Sequence, residues 1–254
     1  MNDTTPRRLT GVLLILTPIA FNLLFTLLSV TFEYPDILRQ PAGYILERFD
    51  AGGAGLVATW YGFMLTAVLF VPLVVLVHRV LAGDGREAGE PFYLGVATSF
   101  GVVAGVVQFL GLARWPFLVP YLADSYTDPA SSEATRESVA VIFEAFNRYA
   151  GVAVGEHLGY LFTGLWTALV ALAVLRSPLF GRLGRWFGLL GLVSAAGILT
   201  GTSEFVGFTL AADVVTVAYI LWSVWLLAFG IALLWRAERS GALQTSDSSS
   251  GARS

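Results

Sequence analysis

The fold is decided by residues 55–81, which read GLVATWYGFMLTAVLFVPLVVLVHRVL. No Asp, Glu, Lys or Arg occurs between Gly55 and His78. An α-helix rises about 1.5 Å per residue, so roughly 20 apolar residues cross the hydrocarbon core of a bilayer, which is about 30 Å thick. The stretch therefore predicts a membrane-spanning helix.

Five further apolar runs of similar length predict an all-α polytopic membrane protein with six transmembrane helices. The segments that flank them are polar, and they divide the chain into a cytoplasmic N-terminal segment, residues 1–8, the membrane domain, 9–236, and a disordered cytoplasmic tail, 237–254. The predicted spans are about Leu9–Thr31, Gly55–Leu81, Phe92–Arg114, Val152–Leu175, Trp186–Phe208 and Val214–Trp235.

The composition agrees with a membrane protein and excludes several classes of chemistry. Of the 254 residues, 56% are hydrophobic and 13% are charged, whereas soluble domains carry about 25% charged residues. The chain has no cysteine and no lysine, which excludes disulfides, thiolate metal sites and Schiff-base chemistry. No phosphate-binding motif or basic patch with interleaved aromatics occurs, so no cofactor and no nucleic-acid partner are predicted.

Arginine placement predicts the orientation, because cytoplasmic loops carry an excess of basic residues. With both termini in the cytoplasm, more arginines lie on the inner side of the membrane than on the outer side. The inner set is Arg7, Arg8, Arg79, Arg86, Arg176, Arg182, Arg185, Arg236 and Arg239, and the outer set is Arg39, Arg48, Arg114, Arg136 and Arg148. Both ends of the chain are therefore expected on the cytoplasmic side of the membrane.

Two long outer segments are predicted to contain amphipathic helices. In Glu33–Asp50, Pro41 is suited to start a short helix that places Tyr44, Ile45 and Phe49 near one face. In Asp128–Ala150, Asp128 is a favourable N-cap that precedes a proline. The second helix is interpreted either as an interfacial packing helix or as a lid over an outer pocket.

Small residues recur every fourth position in the fourth span, at Gly151, Gly155, Gly159, Thr163 and Thr167. Such a ladder lets the backbone of a neighbouring helix approach closely. Packing explains the ladder fully, so it is predicted to be structural.

Polar side chains within the spans fall in the outer third of the predicted bilayer, while the inner two-thirds is almost wholly apolar. A charged group inside the bilayer is costly, so these side chains are expected to point into the helix bundle. They form a candidate polar pocket made of Asn22, Gln108, Arg114, Glu156, His157, Tyr160, Thr200, Ser203 and Glu204.

Three interpretations of this cluster remain open. In an outward-open pocket, Arg114 pairs with Glu156 or Glu204, and His157 titrates near neutral pH. In a metal site, His157, Glu156 and Glu204 are the ligands, although only two histidines occur in the chain. In the third interpretation, the cluster is an ion-pair and hydrogen-bond knot that fixes helix packing.

The preferred functional hypothesis is a non-enzymatic membrane protein that binds a small or lipidic ligand in the outer-leaflet pocket. A second hypothesis is a membrane-embedded enzyme that uses Glu156 and His157 as acid and base beside Arg114. A third is a transporter or a structural subunit. The apolar inner two-thirds argues against a transporter, which needs polar residues along its whole path.

Three motifs carry a resemblance to a known family. They are YPDILRQPA (Tyr34–Ala42), LARWPFLVPYLA (Leu112–Ala123) and GEHLGYLFTGLW (Gly155–Trp166). Together they resemble a bacterial six-span membrane family catalogued as a domain of unknown function, DUF4386, over about Leu9–Trp235. The resemblance implies a six-helix bacterial plasma-membrane protein, and it assigns no catalytic role to any residue.

Overall fold

The computed structural model describes residues 4–83 and 92–251, and these residues form helices with no β-strand among them. Arg86 lies outside the described residues. Six helices are long and apolar enough to cross a membrane, which confirms the predicted number and order of spans. They are Thr5–Phe32, Ala42–Gly83, Phe92–Thr127, Glu133–Arg176, Gly184–Val206 and Ala211–Glu238.

The individual helices subdivide these spans. Eight are α-helical: α1 (Thr4–Phe32), α2 (Ala42–Gly83), α3 (Phe92–Phe117), α4 (Val119–Thr127), α5 (Glu133–Phe146), α6 (Gly159–Arg176), α7 (Gly184–Thr200) and α8 (Ala211–Gly251). Short 3₁₀ turns cover Asp36–Arg39, Pro178–Leu183 and Gly201–Val206. Between α5 and α6 the chain is a π-helix, Asn147–Leu158. Helix α8 continues past residue 237. The predicted boundary between the membrane domain and the tail at that residue stays a prediction.

The first outer helix begins at Ala42, directly after Pro41, as the sequence predicts. Gly53 then interrupts α2 with φ 54° and ψ −155°, a conformation that only glycine adopts readily. Ile45 and Phe49 are buried, but Tyr44 is 40% exposed. Its hydroxyl instead donates a hydrogen bond to Glu33, whose carboxylate also lies 2.8 Å from Arg48.

The second outer helix begins later than predicted. Asp128 does not cap it, because the Asp128 carboxylate accepts a hydrogen bond from the Ala130 N–H in a local turn. The N-cap is Ser132, whose hydroxyl accepts from the Thr135 N–H at 3.1 Å, and α5 starts at Glu133. Val139 and Phe143 of this segment are buried, whereas the other large apolar residues at helical spacing, Ile142, Phe146 and Tyr149, are exposed.

The chain forms two compact units, each built from discontinuous segments. The first comprises residues 1–18, 70–102 and 162–254. Its core contains Trp166, Trp222 and Trp225, and the Trp222 indole donates to the Thr167 hydroxyl at 2.9 Å. A buried tryptophan N–H needs such an acceptor, so this bond explains a polar residue at a fully buried position.

The second unit comprises residues 19–69 and 103–161. At its centre, Trp60 and Trp115 stack with ring centroids 4.4 Å apart and planes 9° apart. Phe32 contacts both rings edge-on, and Phe143 of α5 contacts Trp115. This buried aromatic cluster fixes the end of α3, and with it the position of Arg114.

Candidate functional site

Arg114 is the most deeply buried charged residue of the predicted pocket, with 8% of its surface exposed. It lies in the last turn of α3, in the second unit. Its Cζ lies 5.0 Å from the centroid of the Trp115 ring, a geometry in which the ring face attracts a cation. The aromatic cluster therefore supports the guanidinium on one side.

Two oxygen atoms accept hydrogen bonds from the Arg114 guanidinium. Nη1 donates to the carbonyl of Gly111, one turn earlier in α3. Nη2 donates to Oδ1 of Asn147, the first residue of the π-helix, at 3.0 Å. The nearby Glu156 carboxylate also interacts electrostatically with the guanidinium. A buried cation is tolerated only with such partners, so these contacts explain its presence.

The glycine ladder lies directly against this part of α3. A Cβ added at Gly151 would lie 2.5 Å from Nη2 of Arg114, and one at Gly159 would lie 3.1 Å from Cγ of Gln108. Between them, a Cβ added at Gly111 would lie 2.5 Å from the Cα of Gly155. The predicted packing role of these three ladder glycines is confirmed, and the partners are Gln108, Gly111 and Arg114.

Glu156 and His157 lie in the π-helix and are half-buried. The predicted all-α fold implies an α-helix in this part of the fourth span, and the structure has a π-helix there instead. A π-helix has i→i+5 hydrogen bonds, so the angle between successive side chains is smaller than in an α-helix. π-Helical turns are rare and occur frequently at functional sites. Gln108, Glu156, His157 and Tyr160 each have at least one interaction partner.

The structure thus brings together part of the predicted pocket. Gln108, Arg114 and Glu156 gather along the ladder, with His157 beside Glu156. Asn22 also belongs to the second unit, on α1, where it is half-buried and its carbonyl accepts from Thr26. Whether the predicted residues form one ligand pocket stays a prediction.

Four predicted residues remain: Tyr160 is half-buried in the second unit, and Thr200, Ser203 and Glu204 belong to the first unit. The Thr200 hydroxyl donates to the Gly197 carbonyl, and the Ser203 hydroxyl donates to the Thr200 carbonyl, each at 2.6 Å. Both hydroxyls therefore donate to backbone carbonyls at the C-terminal end of α7. Glu204 is half-buried in the 3₁₀ turn that follows. Within the described residues, no three His, Asp or Glu side chains gather to hold a metal ion.

Several residues of the site were missed in the sequence. Asn147 and Gly111 provide the two oxygens that bind Arg114, and Tyr34 and Trp115 lie beside it. Gly111 precedes Arg114 by one helical turn, and this spacing indicates that the Gly111 carbonyl lies near the Arg114 side chain. Asn147 has no such signal, because its contact with Arg114 joins residues 33 positions apart.

Comparison with known families identifies the chain at family level. A model described as "Domain of unknown function (DUF4386)" matches residues 9–230. The chain belongs to this family. The DUF4386 match covers all the residues of the Arg114 cluster and confirms the resemblance carried by the three sequence motifs. No curated protein and no solved structure matches the chain.

Proposed function

We propose that this DUF4386 protein binds a small or lipidic ligand in an outer-leaflet pocket beside Arg114. The supporting observation is the buried guanidinium, whose Nε–H has no hydrogen-bond partner among the described residues. A buried donor without an acceptor costs about 1–3 kcal/mol, so an incoming acceptor atom stabilises the site. We expect the half-buried side chains of Glu156 and His157 to form the polar rim of this pocket.

The proposal also places the protein in a bacterial plasma membrane with both termini in the cytoplasm. The support is the arginine distribution along the six spans, since basic residues are retained on the cytoplasmic side. In this orientation the Arg114 cluster lies toward the outer face, where a ligand from the outer leaflet has the shorter path.

Native mass spectrometry of the protein purified from its own membranes tests the ligand proposal. The wild-type protein is expected to retain a bound molecule that survives mild activation, and His157→Ala and Glu156→Gln are expected to reduce its occupancy. Glu144→Gln is the matched control, because Glu144 is exposed on α5. Loss of the molecule in the control to the same extent, or no bound molecule in the wild type, contradicts the proposal.

A further inference from the structure

The unpartnered polar atoms of the second unit's core are hydrogen-bond donors. Among the described residues, Nε of Arg114 has no acceptor, and neither does Nε1 of Trp60, a residue that is 0% exposed. Both side chains contact the same ring, since Trp60 stacks on Trp115 and Arg114 lies over it. A molecule that binds here gains most by bringing an acceptor oxygen rather than a donor.

The charges around Arg114 indicate whether the acceptor oxygen of the ligand is anionic or uncharged. The Glu156 carboxylate already opposes the Arg114 cation electrostatically. Two further acid–base pairs among the described residues of this unit are matched within themselves, Glu33 with Arg48 at 2.8 Å and Asp36 with Arg39 at 3.8 Å. An anionic ligand would therefore add a charge without a counter-charge inside an apolar region, which is strongly unfavourable. An uncharged acceptor avoids this cost.

The surroundings of the donor are aromatic. Trp115 and Phe143 contact each other at 6.2 Å between centroids, and Tyr34 lies within 5.2 Å of Trp60. Such walls suit a ligand with an apolar body and few polar atoms.

We infer that the ligand is an uncharged molecule with a carbonyl oxygen, of the ester or amide type, which accepts a hydrogen bond from Nε of Arg114. This inference rests on the proposed function and specifies its ligand class. A membrane lipid ester and a small soluble ester share this chemistry, and the experiment below separates the two sources.

Binding to the purified wild-type protein is measured by native mass spectrometry with four probes. Monoolein carries a carbonyl and a long chain, its ether analogue 1-O-oleylglycerol lacks the carbonyl, oleate is anionic, and monobutyrin is a short soluble ester. Monoolein is expected to bind about tenfold more tightly than the ether analogue, because the ether lacks the carbonyl acceptor. Oleate is expected to bind more weakly than monoolein.

The binding results distinguish the carbonyl inference from the proposed ligand pocket on which it rests. Equal binding of monoolein and its ether analogue, or tighter binding of oleate, overturns the carbonyl inference and leaves the proposed ligand pocket standing. Absence of saturable binding for all four probes overturns both. Binding of monobutyrin as tightly as monoolein supports the carbonyl chemistry with a soluble source, and binding of monoolein alone supports it with a lipid source.

Arg114→Lys keeps the positive charge opposite Glu156 but removes the Nε donor. In this variant the preference for monoolein over its ether analogue is expected to fall to about one. Arg148→Lys is the matched control, because Arg148 is exposed in the same helical segment, and it is expected to keep the preference. If Arg114→Lys does not fold, the probe series on the wild type still decides the question.

Discussion

The guanidinium of Arg114 is fixed by hydrogen bonds inside the protein. The Asn147 amide accepts from Nη2 and the Gly111 carbonyl accepts from Nη1, so two of its nitrogens are satisfied inside the protein. The ladder glycine Gly151 leaves the space in which the guanidinium lies. At the residue scale, the site is therefore a fixed cation whose Nε has no acceptor among the described residues.

Asn147→Leu is expected to lower the free energy of unfolding by about 1–3 kcal/mol, because it leaves Nη2 of Arg114 buried without an acceptor. Asn147→Asp keeps an acceptor oxygen at the same position and is expected to destabilise much less. Thermal unfolding in detergent measures both variants. Equal melting temperatures for the two would show that the Asn147–Arg114 bond does not stabilise the protein.

At the scale of helices, the close approach of α3 to the π-helix depends on glycine at both contact points. Gly111 and Gly155 meet backbone to backbone, and no side chain fits between them. The Ala150 carbonyl also lies against this contact, 2.9 Å from the position of a Cβ on Gly111. The π-helix that carries Glu156 and His157 can therefore lie this close to α3 because Gly111 and Gly155 have no side chains.

Gly111→Ala is expected to destabilise the protein by about 1–3 kcal/mol, since its methyl group would force the two backbones apart. Gly95→Ala, on the same helix, meets no atom within 4 Å and is expected to be neutral or slightly stabilising through its helix propensity. Denaturation midpoints of the two variants measure the difference. Similar midpoints would mean that the helix contact is not tight.

At the scale of the whole molecule, the sequence predicts the long apolar helices that the structure contains and that a bilayer requires. The six spans are predictable because lipid leaves a chain few ways to satisfy its backbone other than long apolar helices. The ladder is predictable because its small residues recur at helical spacing. The π-helix, the contact of Asn147 with Arg114 and the capping of α5 by Ser132 depend on tertiary contacts or local turns, which spacing alone does not encode.

The proposed orientation is testable because the chain contains no cysteine, so any introduced thiol is unique. Gly83 ends α2, is exposed and has no atom within 4 Å of an added Cβ, and Ala130 is exposed in the turn before α5. An impermeant maleimide is expected to label Ala130→Cys in intact cells and Gly83→Cys only after lysis. The reverse pattern would place the termini outside.

The central claim is that the polar cluster beside Arg114 is open to a ligand rather than closed upon itself. The most direct measurement is the labelling rate of the His157→Cys variant with a small thiol reagent in the native protein. Thr167→Cys is the buried reference, since Thr167 is 0% exposed, and Ala130→Cys is the exposed one. His157→Cys is expected to react much faster than Thr167→Cys, because an open cluster admits the reagent. A rate equal to that of Thr167→Cys would contradict the claim and identify the cluster as a packing knot.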